Sequence, residues 1–384
     1  MDRKETYFLA SLLLLFGALT ITSAKAERVE PTGRDTPVTA TFDKSSAPSQ
    51  INIWTDESGG HDSSNDPLWG RNIWTCLSSA DPANGQCRTS STGVQSGSTS
   101  IPILFTEKRS HITQIINLTG YHNIYTTTGT GCGSTPSTPM GGPYQVYAGM
   151  QNNCQDGNSN DDSRLTVYIT SQELQKIPTG GLWEATLKMN LMQWSPAIKL
   201  ADWNAHITLN VTDNNNQQIY LPEFGEAAAH VDLNMRPLPG TGGNQTQMNG
   251  AATIDMCLYD GYGSNSTSFT LKFDDLQQGT KERNNAYFSI YSDQGDVNQD
   301  SGRIDYYVRM QAPDGKYISV IRGNDLVIPD IQTAHIRPMH LPGIPQAVLC
   351  IPAPLELSTK TIDINSKQAG HYTGHLIVNF TPQL

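Results

Sequence analysis

Positive charge is scarce in this chain. Its 384 residues include 25 lysines and arginines against 36 acidic residues, a net charge of −11 at pH 7. Nucleic acids select clustered Lys and Arg, so a nucleic-acid partner is excluded. Charged residues of both signs reach only 16%, while Gly (33) and Pro (22) are plentiful. That is the balance of an extracellular, turn-rich β protein. Beyond the first 26 residues there is no apolar run long enough to span a bilayer. No long helical period occurs, and tryptophan is absent after Trp203. There is no GxSxG elbow, no HExxH and no phosphate-binding glycine loop. An enzyme is therefore not expected, and no cofactor is called for. Without a CxxC, zinc is a poor reading of the cysteines. His371 and His375 share a strand face but offer only two ligands, so no metal is expected there.

What is present begins with a leader. "MDRKE" is basic, "YFLASLLLLFGALTI" is apolar, and Ala24–Ala26 supply small residues for cleavage. Residues 1–26 read as a secretory signal peptide, which makes the mature chain an exported, soluble protein. All six cysteines follow it, and an even number in an exported chain points to disulfides. Neighbour pairing would join Cys76 to Cys87, Cys132 to Cys154, and Cys257 to Cys350. Fifteen pairings are possible, and the sequence alone does not choose.

Short alternating runs recur, among them "IPILFTE", "LTVYIT", "AHITLNV", "TSFTLKF" and "IDYYVRM", separated by turn signals such as "PTGG" and "PDGK". They predict an all-β chain of the sandwich type. "SQELQK" (171–176) allows one short turn of helix. The best boundary is the polar stretch "TDNNNQQ" (212–218), because all six tryptophans precede it.

An internal echo links the two halves. "GLWEATLKMN" (181–190) matches "GHYTGHLIVN" (370–379), with Trp183 opposite Tyr372, Leu187 opposite Leu376 and Met189 opposite Val378. From Tyr372 to Phe380 the second copy alternates as a half-buried strand. After the first copy the chain goes on to "AHITLNV", another strand. After the second it ends. The second half therefore reads as a sandwich short of one strand, with an apolar groove and unpaired edges. Filling such a groove with four or five alternating side chains contributes about 6–15 kcal/mol before entropy. Donor-strand complementation in chaperone–pilin systems uses this kind of vacancy. The competing reading is that a segment of the same domain closes the sheet.

"LFTEKRS", "GGLWEATLKMNL", "LNVTD", "YLPEF", "VDLNMRP", "DMCLYDGY", "VLCIPAPLEL" and "AGHYTGHLIVNFTP" resemble, in order and spacing, blocks of the tip adhesins of class 5 fimbriae, a family that includes cable-pilus initiators. The likeness runs from about Trp69 to the end. It implies two tandem immunoglobulin-like β-sandwiches, the C-terminal one lacking its last strand: an adhesin domain over 27–213, a linker at 214–216, and a pilin domain over 217–384. It also implies partners. The N-terminal donor strand of a major pilin would fill the groove, a periplasmic chaperone would hold it beforehand, and an outer-membrane usher would start the fibre. The chain would pass through the periplasm to the cell surface, at the fimbrial tip.

Receptor binding in that family rests on an arginine cluster. "WGRNIWTCLSS" puts Arg71 on its first member, whereas "LKMNLMQWSP" has Gln193 and Trp194 where a basic pair is expected. Lys199 follows and partly restores charge. The candidate receptor residues are thus Arg71, Trp194, Gln193 and Lys199, facing a host-cell carbohydrate. A tryptophan offers a stacking face for a sugar ring in place of bidentate arginine contacts to a carboxylate. The candidate groove residues are Tyr372, Leu376, Val378 and Phe380, with an early strand near "QIYLPEF" as the other wall. Lys108 and Arg109 read as a solvated strand end. The altered arginine cluster leaves a second function open, a structural cap that initiates the pilus and binds nothing.

Overall fold

A computed structural model describes residues 28–62, 69–126, 139, 141–149, 161–225, 229–239 and 246–383. The expected leader and the cysteines at 132 and 154 lie outside them. The described chain is almost entirely β, with one short helix, Ser171–Leu174, inside the expected "SQELQK". Among the described residues no helix is long and apolar enough to cross a membrane.

The first domain is organised around one long strand, Gly181–Trp194. Every second side chain points inward and is buried: Trp183, Ala185, Leu187, Met189 and Leu191. On one edge it pairs with Ala197–Thr212 along its whole length, from Gly181 opposite Val211 to Trp194 opposite Ala197. On the other edge it meets Thr99–Glu107 near its start and Asn72–Cys76 near its end. Both edges are thus hydrogen-bonded. The strand Ala197–Thr212 is itself flanked in parallel by Arg34–Asp43. The sheet continues from Thr99–Glu107 through Thr113–Thr126 and Asp161–Thr170 to Gln50–Ser58. Inside it, Trp203 meets Trp54 and Trp74 edge-on, with ring centres 5.4 and 5.2 Å apart. Cys76 and Cys87 form a disulfide.

The second domain has a core of its own, built on Phe269, Leu271, Phe273, Phe288, Val308, Met310 and Ile351. One layer includes Ala251–Ile254, Leu355–Thr359, Arg303–Gln311, Phe288–Ser292 and Tyr372–Thr373 in that order. Another runs Asp325–Pro329, Ser268–Asp275, Leu376–Gln383. Gln218–Tyr220 pairs with Cys257–Tyr259, which pairs with Ala347–Pro352. The disulfide Cys257–Cys350 closes the long loop expected of it.

The expected C-terminal strand is corrected in one respect. It is not continuous from Tyr372. Tyr372 and Thr373 pair with Tyr291 and Ser292, and only from Leu376 does the chain join Ser268–Asp275. The break falls at Gly374, where a Cβ would come within 2.8 Å of the Ser289 carbonyl. The chain crosses between layers there, and no larger residue fits the crossing without displacing backbone.

Arg109 is also corrected: it is not a solvated strand end. Its guanidinium donates to the carbonyls of Ser264, Ile331 and Ala334 in the second domain, the Ile331 contact at 2.8 Å. Fully buried Glu107 accepts from Ser110 N at 2.6 Å, Leu182 N at 3.1 Å and, across the junction, Asn265 Nδ2 at 3.0 Å. Asp213 N donates to Gly261 O at 2.7 Å, and Asn214–Asn216 form one 3-10 turn. The two domains are hydrogen-bonded at their junction.

Candidate functional site

At the end of the first domain remote from that junction, Gly181–Trp194 turns into Ala197–Thr212 through the two-residue loop Ser195–Pro196, whose peptide is cis. This hairpin tip gathers three of the four expected receptor residues. Trp194 N donates to Arg71 O at 3.0 Å. The Arg71 guanidinium lies 5.8 Å from the Trp194 ring centre, a cation–π arrangement, and donates to Ser195 O at 3.4 Å. Gly149 lies under the indole, where a Cβ would come within 2.6 Å of the ring. Trp194 is half-buried.

Gln193 does not share that exposure. It points inward opposite Asn72 and is 6% exposed. Its Nε2 donates to Ser195 O and Pro196 O at 3.4 and 3.3 Å, so it holds the turn beneath Trp194. The alternation that begins at Trp183 carries this information, since Gln193 has the parity of the buried residues. Lys199 lies opposite Met192, on the face of Trp194, but its Nζ is 2.5 Å from Asp202 Oδ1. An exposed pair of that kind contributes little to stability, yet it neutralises the charge locally.

Behind the tip lies buried polar chemistry. His122 is fully buried beside Trp74 and Tyr144, and burial takes its imidazole down to about 4. Burial also opposes the Asp162 charge, but hydrogen bonds from His61, Ser58 and Arg164 outweigh it and hold that carboxyl below its usual range. Among the described residues no group of three or more His, Cys, Asp or Glu could hold a metal ion.

The second locus is the strand Leu376–Gln383. Leu376, Val378 and Phe380 pack on the second core but stay half-buried, and Phe380 meets Phe269 edge-on at 4.9 Å. Its hydrogen-bonded neighbour is Ser268–Asp275, and among the described residues its other edge has none. Tyr372 is elsewhere: its hydroxyl donates to Ser301 O and Gln368 O, at 2.7 and 2.8 Å, in the other layer. "QIYLPEF" is likewise engaged, with Gln218–Tyr220 laddered to Cys257–Tyr259.

The stretch around "VDLNMRP", which the sequence did not mark as a groove wall, behaves differently. Ala229, Val231, Leu233 and Met235 pack against the same core as the C-terminal strand, while His230, Asp232 and Asn234 are exposed. The burial alternates as in a strand, yet among the described residues no strand ladder includes 229–235. The signal was available in "AHVDLNM", which alternates apolar and polar residues.

Comparison with known proteins agrees with this architecture. The family of CfaE, the E component of CFA/I fimbriae, matches in both of its parts: its first domain over residues 23–214, its second over 217–384. The CFA/I fimbrial protein CfaE of Escherichia coli is 32% identical over 325 residues, 82% of this chain and 81% of that protein. The crystal structure of CfaE, the adhesive subunit of CFA/I fimbria of enterotoxigenic Escherichia coli, is 28% identical with a TM-score of 0.78, covering 93% of this chain and 94% of that one. A chain from a structure of a chaperone–tip adhesin complex of CFA/I fimbriae biogenesis reaches 0.67 at 28% identity, over 93% and 98% of the two chains.

Proposed function

This chain belongs to the CfaE family of CFA/I fimbrial proteins, and from that premise we propose a division of labour between its two domains. It is a fimbrial tip adhesin, whose relatives are adhesive subunits. The first domain binds a host-cell glycan or glycoprotein at the hairpin tip, with Trp194 stacking on a sugar and Arg71 donating hydrogen bonds beside it. It does no chemistry. The second domain accepts the N-terminal strand of the first major pilin, after a periplasmic chaperone has occupied the same groove and an outer-membrane usher has received the pair. The protein then stands at the distal end of a surface fibre.

One observation carries the assembly half of this reading. Two alternating segments, Leu376–Gln383 and 229–235, pack against one core; among the described residues the first is laddered on one edge only and the second is in no ladder. An added strand would satisfy the edge of the first and cover the half-buried faces of both. In this reading the groove walls are Leu376, Val378 and Phe380 opposite Val231, Leu233 and Met235.

The adhesive half is tested by comparing the full chain with Arg71→Ala and Trp194→Ala for binding to erythrocytes and epithelial cells, after each melts like wild type. We expect each to weaken binding about tenfold or more, as for a central aromatic or arginine anchor. Wild-type binding that survives both substitutions moves the site elsewhere. A wild-type chain that binds no cell while still starting fibres favours the structural cap.

A further inference from the structure

Of the six tryptophans, Trp54, Trp74, Trp183 and Trp203 are buried in the core. The two that are not, Trp69 and Trp194, are linked through Arg71, which follows the first by two residues and accepts a backbone hydrogen bond from the second. Each carries an arginine. Arg71 stands over Trp194, and Arg28 stands 4.6 Å from the Trp69 ring centre. Arg28 reaches that place because Arg28–Val29 pairs with His61–Asp62.

The backbone at each tryptophan is also tied by a buried amide. Gln193 holds the carbonyls of Ser195 and Pro196, the two residues after Trp194. Its strand neighbour Asn72, 1% exposed, donates through Nδ2 to the carbonyls of Gly60 and Trp69. Trp69 itself has φ of +61°, a left-handed backbone that a bulky residue rarely adopts. Such a conformation persists only where its surroundings hold it, and it clusters at binding sites. A buried side-chain amide bonded to the Trp69 carbonyl fixes the left-handed backbone from which that indole projects.

We propose that Trp69, flanked by Arg28, is a second stacking platform beside Trp194, so that the tip takes an extended glycan over at least two successive sugar rings, not one terminal residue. The proposal rests on the receptor reading above and adds its reach. Indole faces bind the apolar face of a ring, while the adjacent guanidiniums donate to hydroxyls. Two such pairs, one just ahead of Asn72–Cys76 and one at the end of Gly181–Trp194, suit a chain of rings better than a single one.

The test is binding of the full chain to a glycan array printed with mono-, di- and tetrasaccharides of shared terminal sequence. The wild type should bind the longer glycans and lose most of its signal on the single sugars. Trp69→Ala should cut binding to the longer glycans about tenfold and leave the weak monosaccharide signal unchanged. Trp194→Ala should remove both. Trp69→Phe, which keeps a ring, should retain most of the binding. Arg28→Ala leaves the strained backbone alone and serves if Trp69→Ala misfolds; it should weaken the longer glycans about threefold. Full binding to monosaccharides, or longer-glycan binding unmoved by folded Trp69 or Arg28 variants, overturns the second platform and leaves the Trp194 site standing. Wild-type binding untouched by any of these variants, Trp194→Ala included, overturns both.

Discussion

The strands Gly181–Trp194 and Leu376–Gln383 share an alternation but not a fate. In the first, Leu187 and Met189 are fully buried, because Ala197–Thr212 lies along one edge and two further strands share the other. In the second, the matching Leu376 and Val378 are half-buried, and one edge lacks a neighbour among the described residues. The pattern of side chains decides which face of a strand turns inward. How completely that face is covered depends on the strands laid along its edges: among the described residues Gly181–Trp194 has neighbours on both, Leu376–Gln383 on one.

The largest effect should come from supplying that strand. Fusing a pilin N-terminal segment to the C-terminus, through a short linker, should raise the melting temperature of the second domain by about 10 °C or more. Covering three or four half-buried apolar side chains stabilises by about 3–8 kcal/mol before ordering costs. The first domain's transition should not move. Calorimetry checks both, and equal melting of the second domain with and without the fusion breaks the comparison.

The next effect separates the two cores chemically. Where the first domain packs tryptophans, the second buries an ion pair: Arg283 clasps Asp275 through both terminal nitrogens, with side chains 1% and 0% exposed, and Ser289 N donates to Asp275 at 2.8 Å. Arg283→Met removes the bidentate partner of a buried carboxylate, leaving it the Ser289 amide and Arg322 at 3.9 Å, and should cost the second domain about 3 kcal/mol. Denaturant melts that follow tryptophan fluorescence should miss this loss, since every tryptophan is in the first domain. Melts followed by circular dichroism should show it.

Acid should soften the first domain selectively. Burial lowers His122 to about 4, whereas an unfolded histidine titrates near 6.5. Between those values the unfolded chain binds the proton and the folded one does not, so stability is lost as the pH falls from about 6.5 towards 4. The loss should reach about 2–3 kcal/mol. His122→Gln should flatten that slope.

The smallest effect concerns the linker. Burial opposes the charge of Asp43, but hydrogen bonds from Ser45, Asn214 and Thr212 outweigh it and bring the group down to about 2. Its contribution is present above an unfolded value near 3.9 and vanishes as the pH falls through 2. Asp43→Asn should cost about 1 kcal/mol at pH 7, and the difference from wild type should close by pH 2.

Much of this was legible in the sequence because it is local or periodic. The all-β class and the pairing of Gly181–Trp194 with the strand that follows it were both carried by alternation. Arg71 and Trp194 come together at the hairpin tip, the positions that the family resemblance singled out. What escaped depended on pairings between distant segments. Nothing near Arg109 announces the carbonyls of Ser264, Ile331 and Ala334, and nothing near Arg28 announces Trp69. Tyr372 looked continuous with Leu376 because alternation cannot register a change of layer. Gln193 could have been placed inward by extending the parity of Trp183, and Val231–Met235 by the same rule.

The central claim is that the second domain lacks a strand that the first one has. Amide hydrogen exchange on the full chain, with and without a pilin N-terminal peptide, tests it most directly. The account predicts that Gly181–Trp194 is protected in both samples, while the outward amides of Leu376–Gln383 and the 229–235 stretch exchange quickly alone and become protected with the peptide. Protection of Leu376–Gln383 in the free chain equal to that of Gly181–Trp194, unchanged by the peptide, would contradict it.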